Sequence, residues 1–234
     1  MFRLWASLLV ARLLVGAYVR VRIEGPGRLP PGPAILCFTH ANWADPWFLL
    51  VALPARPDTY IFGPRDADMR RGWHNLLIRS SGRAVSFKPG NRDVLDTTRR
   101  VEAIIAAGGR LAIAGEGGIH TRESEVLPLS AGPAYFALRT GVPLVPVAIS
   151  GTTWHDFGRR VRVRIGEPIP VPGRLTRAAV DELTEECARR LRALVAGTPE
   201  VPAPGPFGRW LTEAFNNWPG GRRPDDGVPP SHSS

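Results

Sequence analysis

The chain has 234 residues, 44% of them hydrophobic, enough for one well-buried domain. Its net charge of +9 suits nucleic acid, an anionic membrane face or phosphorylated substrates, but an arginine bias accompanied by many alanines and prolines also arises from base composition, so charge alone selects no partner. The two cysteines, Cys37 and Cys187, exclude a disulfide framework and a cysteine-based metal site, and point to a reduced, cytosolic setting.

The N-terminus, MFRLWASLLVARLLVGAYVRVR, has apolar stretches broken at Arg3, Arg12, Arg20 and Arg22. None approaches the roughly 20 residues a spanning helix needs. No small-residue cleavage site follows it, so secretion is not expected. A helix here carries Leu4, Trp5, Leu8, Leu9, Leu13 and Val15 on one broad face with arginines at its edges. That pattern suits a helix lying on an anionic leaflet, the alternative being a first helix packed on the core.

Residues 19–24 (VRVRIE) alternate like a short strand, and 34–38 (AILCF) read as a buried strand that feeds a loop at His40. A helix is expected after Asp45-Pro46. Strands are expected at 58–62 and 83–87, with a helix at 66–78 between them. Residues 92–107 read as a helix, with Val94, Leu95, Thr98, Val101, Ile104 and Ile105 at helical spacing, ended by Gly108-Gly109. Residues 111–114 (LAIA) form a strand entering the loop Gly115-Glu116-Gly117-Gly118. A helix at 133–140 precedes a strand at 142–149, whose prolines argue for an edge or irregular position. RVRVRI at 160–165 reads as a half-exposed strand, and 176–195 as a long helix capped by Thr176.

Alternating strands and helices predict a single α/β domain over 19–196, its parallel or mixed central sheet flanked by helices. It follows a membrane-associated amphipathic segment at 1–18. Residues 197–234 form a Pro/Gly-rich tail with a short amphipathic helix near 207–218, where Trp210, Leu211, Ala214, Phe215 and Trp218 share a face. That helix either docks on the domain or touches lipid.

His40 and Asp45 are the candidate catalytic pair. Imidazole titrates near neutrality and serves as a general base, while a carboxylate fixes its tautomer. No G-x-S-x-G elbow supplies a serine, so the histidine would activate a substrate hydroxyl directly. The spacing alone is weak: with five histidines a chance His-x4-Asp arises about one time in five, and His120 has Glu125 at the same distance. The position after a buried strand is where α/β sites form.

Three further stretches, GRAVSFK at 82–88, AGEGGIHTR at 114–122 and GVPLVPVA at 141–148, follow THANWADP in order. Over about residues 19–170 the chain resembles the glycerolipid acyltransferase family, in particular the bacterial 1-acylglycerol-3-phosphate O-acyltransferases. The resemblance implies that His40 deprotonates the acceptor hydroxyl and Asp45 orients it. It implies that Lys88, standing where the family usually has an arginine, binds the acceptor phosphate with Glu116, Gly117 and Arg122. Lys88 is the sole lysine of the chain. In the third block Gly115 replaces the usual proline, and Thr121-Arg122 follow an insertion. Val142, Pro143, Val145 and Pro146 of the fourth block, with Trp43 and Trp47 beside the site, are candidates for the acyl pocket; core packing is the alternative for the tryptophans.

The expected activity is therefore transfer of a fatty acyl group from acyl-CoA or acyl-carrier protein to the hydroxyl of a lysophospholipid, foremost lysophosphatidic acid. It would take place at the cytoplasmic face of the membrane, with the enzyme peripheral or monotopic and with no metal or cofactor. An acyl-thioester hydrolase, or transfer to another lipid acceptor, is the alternative. Nucleic acid is not expected as a partner, because no binding motif is present and the arginines are spread along the chain.

Overall fold

The computed structural model describes residues 13, 15–54, 58–65, 83–87, 91–171, 173–214, 216 and 223–224. Seven strands form one sheet: β1 (Arg20–Glu24), β2 (Ala34–Phe38), β3 (Thr59–Arg65), β4 (Ala84–Phe87), β5 (Arg110–Ala114), β6 (Leu144–Ser150) and β7 (Arg160–Ile165). Their order is β1-β7-β6-β2-β5-β3-β4. Every pairing is parallel except β6 with β7, so the sheet is mixed, as expected for strands alternating with helices. Among the described residues five α-helices accompany them: α1 (Asp45–Ala52), α2 (Asn91–Ala106), α3 (Gly132–Thr140), α4 (Arg177–Val195) and α5 (Pro206–Glu213). The expected helix at 66–78 lies outside the described residues, as does the segment 1–18 apart from Leu13 and residues 15–18. Among the described residues no helix is long and apolar enough to cross a membrane.

β2 is central and buried along its whole length, which explains its unbroken apolar run. Leu36 and Phe38 point to one face of the sheet, where they join Phe48 and Leu49 of α1 and Val145 and Val147 of β6. Ile35 and Cys37 point to the other, among Val101 and Ile105 of α2, Ala137 of α3, and Cys187 and Leu191 of α4. The buried stripe of α2 is shorter than its spacing suggests, since Val94 and Leu95 in its first turns are exposed. Thr176 caps α4 as expected, its hydroxyl accepting the Ala179 N–H at 3.1 Å.

The structure decides the position of the fifth predicted strand. Its prolines argued for an edge or an irregular position: β6 is no edge, since it lies inside the sheet between β2 and β7 and is buried throughout, but its pairing with β7 is irregular around Pro146. Odd-numbered residues of β6 bond to β2: Ile35 donates to the Pro143 carbonyl, and Thr39 to that of Val147. Pro146 therefore faces β7, where only its carbonyl is used, accepting from Gly166 at 2.9 Å. The ladder with β7 begins beyond it at Val147↔Ile165, and the chain pairs again only at the Leu144↔Ile169 bridge. A proline is tolerated at such a break because no ladder bond needs its missing N–H.

Candidate active site

The carboxyl ends of β2 and β5 deliver the two loops of the site. In the first, Asp45 opens α1 and turns its carboxylate back over the preceding residues. Oδ2 accepts the N–H groups of Ala41 and Asn42, each at 2.7 Å, and lies 3.2 Å from His40 Nδ1. Asp45 is wholly buried, while the His40 side chain keeps 20% of its surface exposed. The five-residue spacing is thus a loop wound around its own carboxylate, at a helix N-terminus that favours negative charge. An N–H at Nδ1 donates to Asp45, which leaves Nε2 as the basic nitrogen. Phe38 supports the ring edge-on, with centroids 6.1 Å apart.

The second loop, 115–130, folds against the first. The His120 N–H donates to the His40 carbonyl at 3.0 Å, and Ser130 closes the loop onto Gly115 at 2.8 Å. Gly115, the departure from the family's proline, is sterically required: a Cβ there would lie 2.6 Å from Cys37 Sγ and 3.0 Å from Leu129 Cδ2. Cys37 and Cys187 are free buried thiols, and the Cys187 thiol together with burial pushes that of Cys37 well above the usual range.

Glu116 follows the strand but turns inward. Its side chain has no exposed surface, and neither carboxyl oxygen has a full hydrogen bond. Burial pushes its carboxyl up to about 9, while the backbones of His40 and Leu127 lie close enough to pull it back only in part. A neutral, buried carboxyl is poorly placed to meet a phosphate. Its neighbour is His120, whose Nε2 is 3.8 Å away and whose Nδ1–H donates to the Arg122 carbonyl at 2.7 Å. Burial lowers His120 from the usual imidazole value. The Glu125 that stands five residues after His120 is not its partner.

The pH dependence of stability follows from Glu116. Unfolded, the group titrates near 4.5; folded, near 9. The stability carried by the folded state's extra proton is complete below the lower value and drains as pH rises toward the higher, at up to about 1.4 kcal/mol per pH unit. Glu116→Gln removes this drain, so the wild type should lose roughly 1 kcal/mol per unit more than the variant between pH 6 and 9. Urea melts across that range check this, and parallel profiles would refute it.

The remaining predicted site residues are distributed as follows. Gly117 is exposed with φ +63°, and Arg122 is exposed on the same loop. Lys88 lies outside the described residues. Trp43 and Trp47 are half-buried against the core cluster of the α1 face. Val145 and Pro146 are buried within β6, Val142 packs in the opposite cluster, and Pro143 is half-buried, so this block chiefly builds the sheet under the site.

Three features of the site carry no local sequence signal. The wholly buried Glu123 carboxylate holds the β6–β7 connection, accepting the Gly151 N–H at 2.5 Å, the Thr153 N–H at 2.9 Å and the Thr153 hydroxyl at 2.7 Å. His155 is buried among Tyr18, Trp43 and Phe48, and burial lowers it to about 4. Asn216 grips the first loop from the far end of the chain, its Oδ1 accepting the Trp43 N–H at 3.0 Å and its Nδ2 donating to the Ala41 carbonyl at 3.4 Å.

The arrangement is that of an α/β protein with a carboxylate-held histidine at the mouth of its central strands. A family model described as Acyltransferase matches residues 20–150, more than half of the chain, and the chain belongs to that family. Its fold is similar to that of the 1-acyl-sn-glycerophosphate (LPA) acyltransferase PlsC from Thermotoga maritima, with a TM-score of 0.61 and 20% identity, covering 83% of this chain and 80% of that one. No curated protein matches the sequence.

Proposed function

We propose that the protein transfers a fatty acyl group from an acyl thioester, acyl-CoA or acyl-carrier protein, to the hydroxyl of a lysophospholipid, with lysophosphatidic acid as the first acceptor to test. The observation that carries this reading is the His40–Asp45 geometry, with a buried carboxylate on Nδ1 and a fifth of the histidine side chain exposed. His40 Nε2 takes the proton of the acceptor hydroxyl as its oxygen attacks the thioester carbonyl. The tetrahedral oxyanion collapses, the carbon–sulfur bond breaks, and the imidazolium returns the proton to the departing thiolate. The products are the ester and the free thiol. Arg122, exposed on the loop that abuts His40, supplies charge for the acceptor phosphate together with Lys88. A neutral Glu116 serves instead to support the His40 backbone. The acceptor places the reaction at the cytoplasmic membrane face, with the enzyme peripheral or monotopic.

Thiol release from palmitoyl-CoA, measured with and without lysophosphatidic acid, tests the reading. Release that requires the acceptor supports transfer. Release without it identifies a hydrolase. Release restored only by a different lysolipid keeps transfer and replaces the acceptor.

A further inference from the structure

The edge strand β1 pairs in parallel with its neighbour β7, with Arg20 opposite Arg160 and Arg22 opposite Arg162. The alternating residues Val21, Val161 and Val163 join the core of the α1 face, so the four arginines project together from the other side of the sheet. Like charges placed directly across a strand pair destabilise it. Among the described residues, Arg20, Arg160 and Arg162 form no ion pair, and Arg22 is tied only to Glu24 at 3.5 Å. Glu24, which also pairs with Arg164 at 3.2 Å, is the one carboxylate of the two strands, so the array keeps a cationic excess that an anionic surface would neutralise.

Topology fixes where the array lies. β6 runs parallel to β2, β7 runs against β6, and β1 runs with β7. Arg20 and Arg160 therefore stand at the same end of the sheet as His40. Among the described residues, the exposed aromatic side chains Phe157, Phe207 and Trp210 also lie at that end. α5 rests on the 154–158 segment: the His155 N–H donates to Thr212 Oγ1 at 2.8 Å, and a Cβ on Gly208 would lie 2.3 Å from the His155 carbonyl. With Gly208 and Thr212 turned inward, Phe207 and Trp210 face solvent at 66% and 59% exposure, their rings 5.9 Å apart. Phe157, just past the docking point, is 77% exposed. The short tail helix thus docks on the domain and keeps an apolar face free. The rings lie on the α1 side of this end and the arginines on the opposite side, so a bilayer meeting the molecule end-on would take the rings at its acyl boundary and the arginines among its phosphates.

We propose that this end of the molecule is a membrane-docking surface, in which Phe157, Phe207 and Trp210 enter the interface of an anionic bilayer and the Arg20/Arg22/Arg160/Arg162 array contacts its headgroups. None of these residues belongs to the segment 1–12. Through Asn216, which follows α5 and holds Ala41 and Trp43, docking also steadies the loop of His40 and Asp45.

Flotation of the full chain with vesicles, read without turnover, tests this independently of the acyl-transfer reading. Phosphatidylglycerol/phosphatidylcholine vesicles should bind the protein, and binding should weaken with salt. Arg22→Gln/Arg162→Gln should lower partition about tenfold, from roughly 1 kcal/mol per basic residue less screening. Phe207→Ser/Trp210→Ser should lower it several-fold, and circular dichroism should show both variants folded. Wild-type binding by both variants would overturn the proposal and place the anchor elsewhere. Equal binding to pure phosphatidylcholine would remove the role of the array, and duplex DNA displacing the protein from vesicles at equal phosphate concentration would reassign it.

Discussion

His40→Ala should lower acyl transfer about a thousandfold while leaving the protein folded. The size follows from losing the one group placed to take the acceptor's proton, since general-base catalysis contributes about 10²–10⁴. The fold should survive because the ring is partly exposed and its polar tie is the one to Asp45, with Phe38 packed edge-on beside it. Asp45 would keep its two backbone N–H donors, so the loop stays wound. The acceptor KM should change little, since the imidazole acts on the hydroxyl rather than on the headgroup. Initial rates of thiol release beside a urea melt decide it. A variant within tenfold of the wild type would remove His40 from the chemistry.

What could be seen in the sequence, and what could not, divides along the range of the interactions. β2, β7 and α4 were legible because apolar runs, alternation and a threonine cap are local signals. The His40–Asp45 pair was legible for the same reason, as a five-residue loop closed by its own backbone bonds. The prolines of β6 left an edge or an irregular position open, and only the break in pairing with β7, some twenty residues later, decides for the second. Glu116 read as a residue at an open anion site, but Cys37 and Leu129 press the chain at Gly115 and the carboxyl turns inward. His120 showed Glu125 at the catalytic spacing, yet its neighbour is Glu116, on the other side along the chain. Asn216 is more than 170 residues from the backbone it holds, so no motif could announce it.

These long-range ties also account for the shape of the site. Glu123 fastens the second loop to the β6–β7 connection, and His155 on that connection touches both Trp43 and the base of α5. The loop carrying His40 is therefore braced by elements from three distant parts of the chain. Such bracing holds the His40 imidazole in one orientation, which is what the proposed one-base transfer without a covalent intermediate would require.

Asp45 should separate into a catalytic and a structural effect under two substitutions. Asp45→Asn preserves volume, and its amide oxygen can still accept from Ala41 and Asn42. That same oxygen still accepts from His40 Nδ1, but it carries no negative charge to stabilise the imidazolium that forms when Nε2 takes the acceptor's proton. Transfer should fall about 10³-fold with a modest change in stability. Asp45→Ala removes the acceptor altogether and leaves two buried N–H groups unpaired. At about 1–3 kcal/mol for each orphaned donor, the fold should lose roughly 3 kcal/mol besides the activity. Rates and urea midpoints for the two variants separate these effects. If both lose stability equally and Asp45→Asn retains near-normal turnover, the carboxylate is a loop anchor only, and His40 works without it.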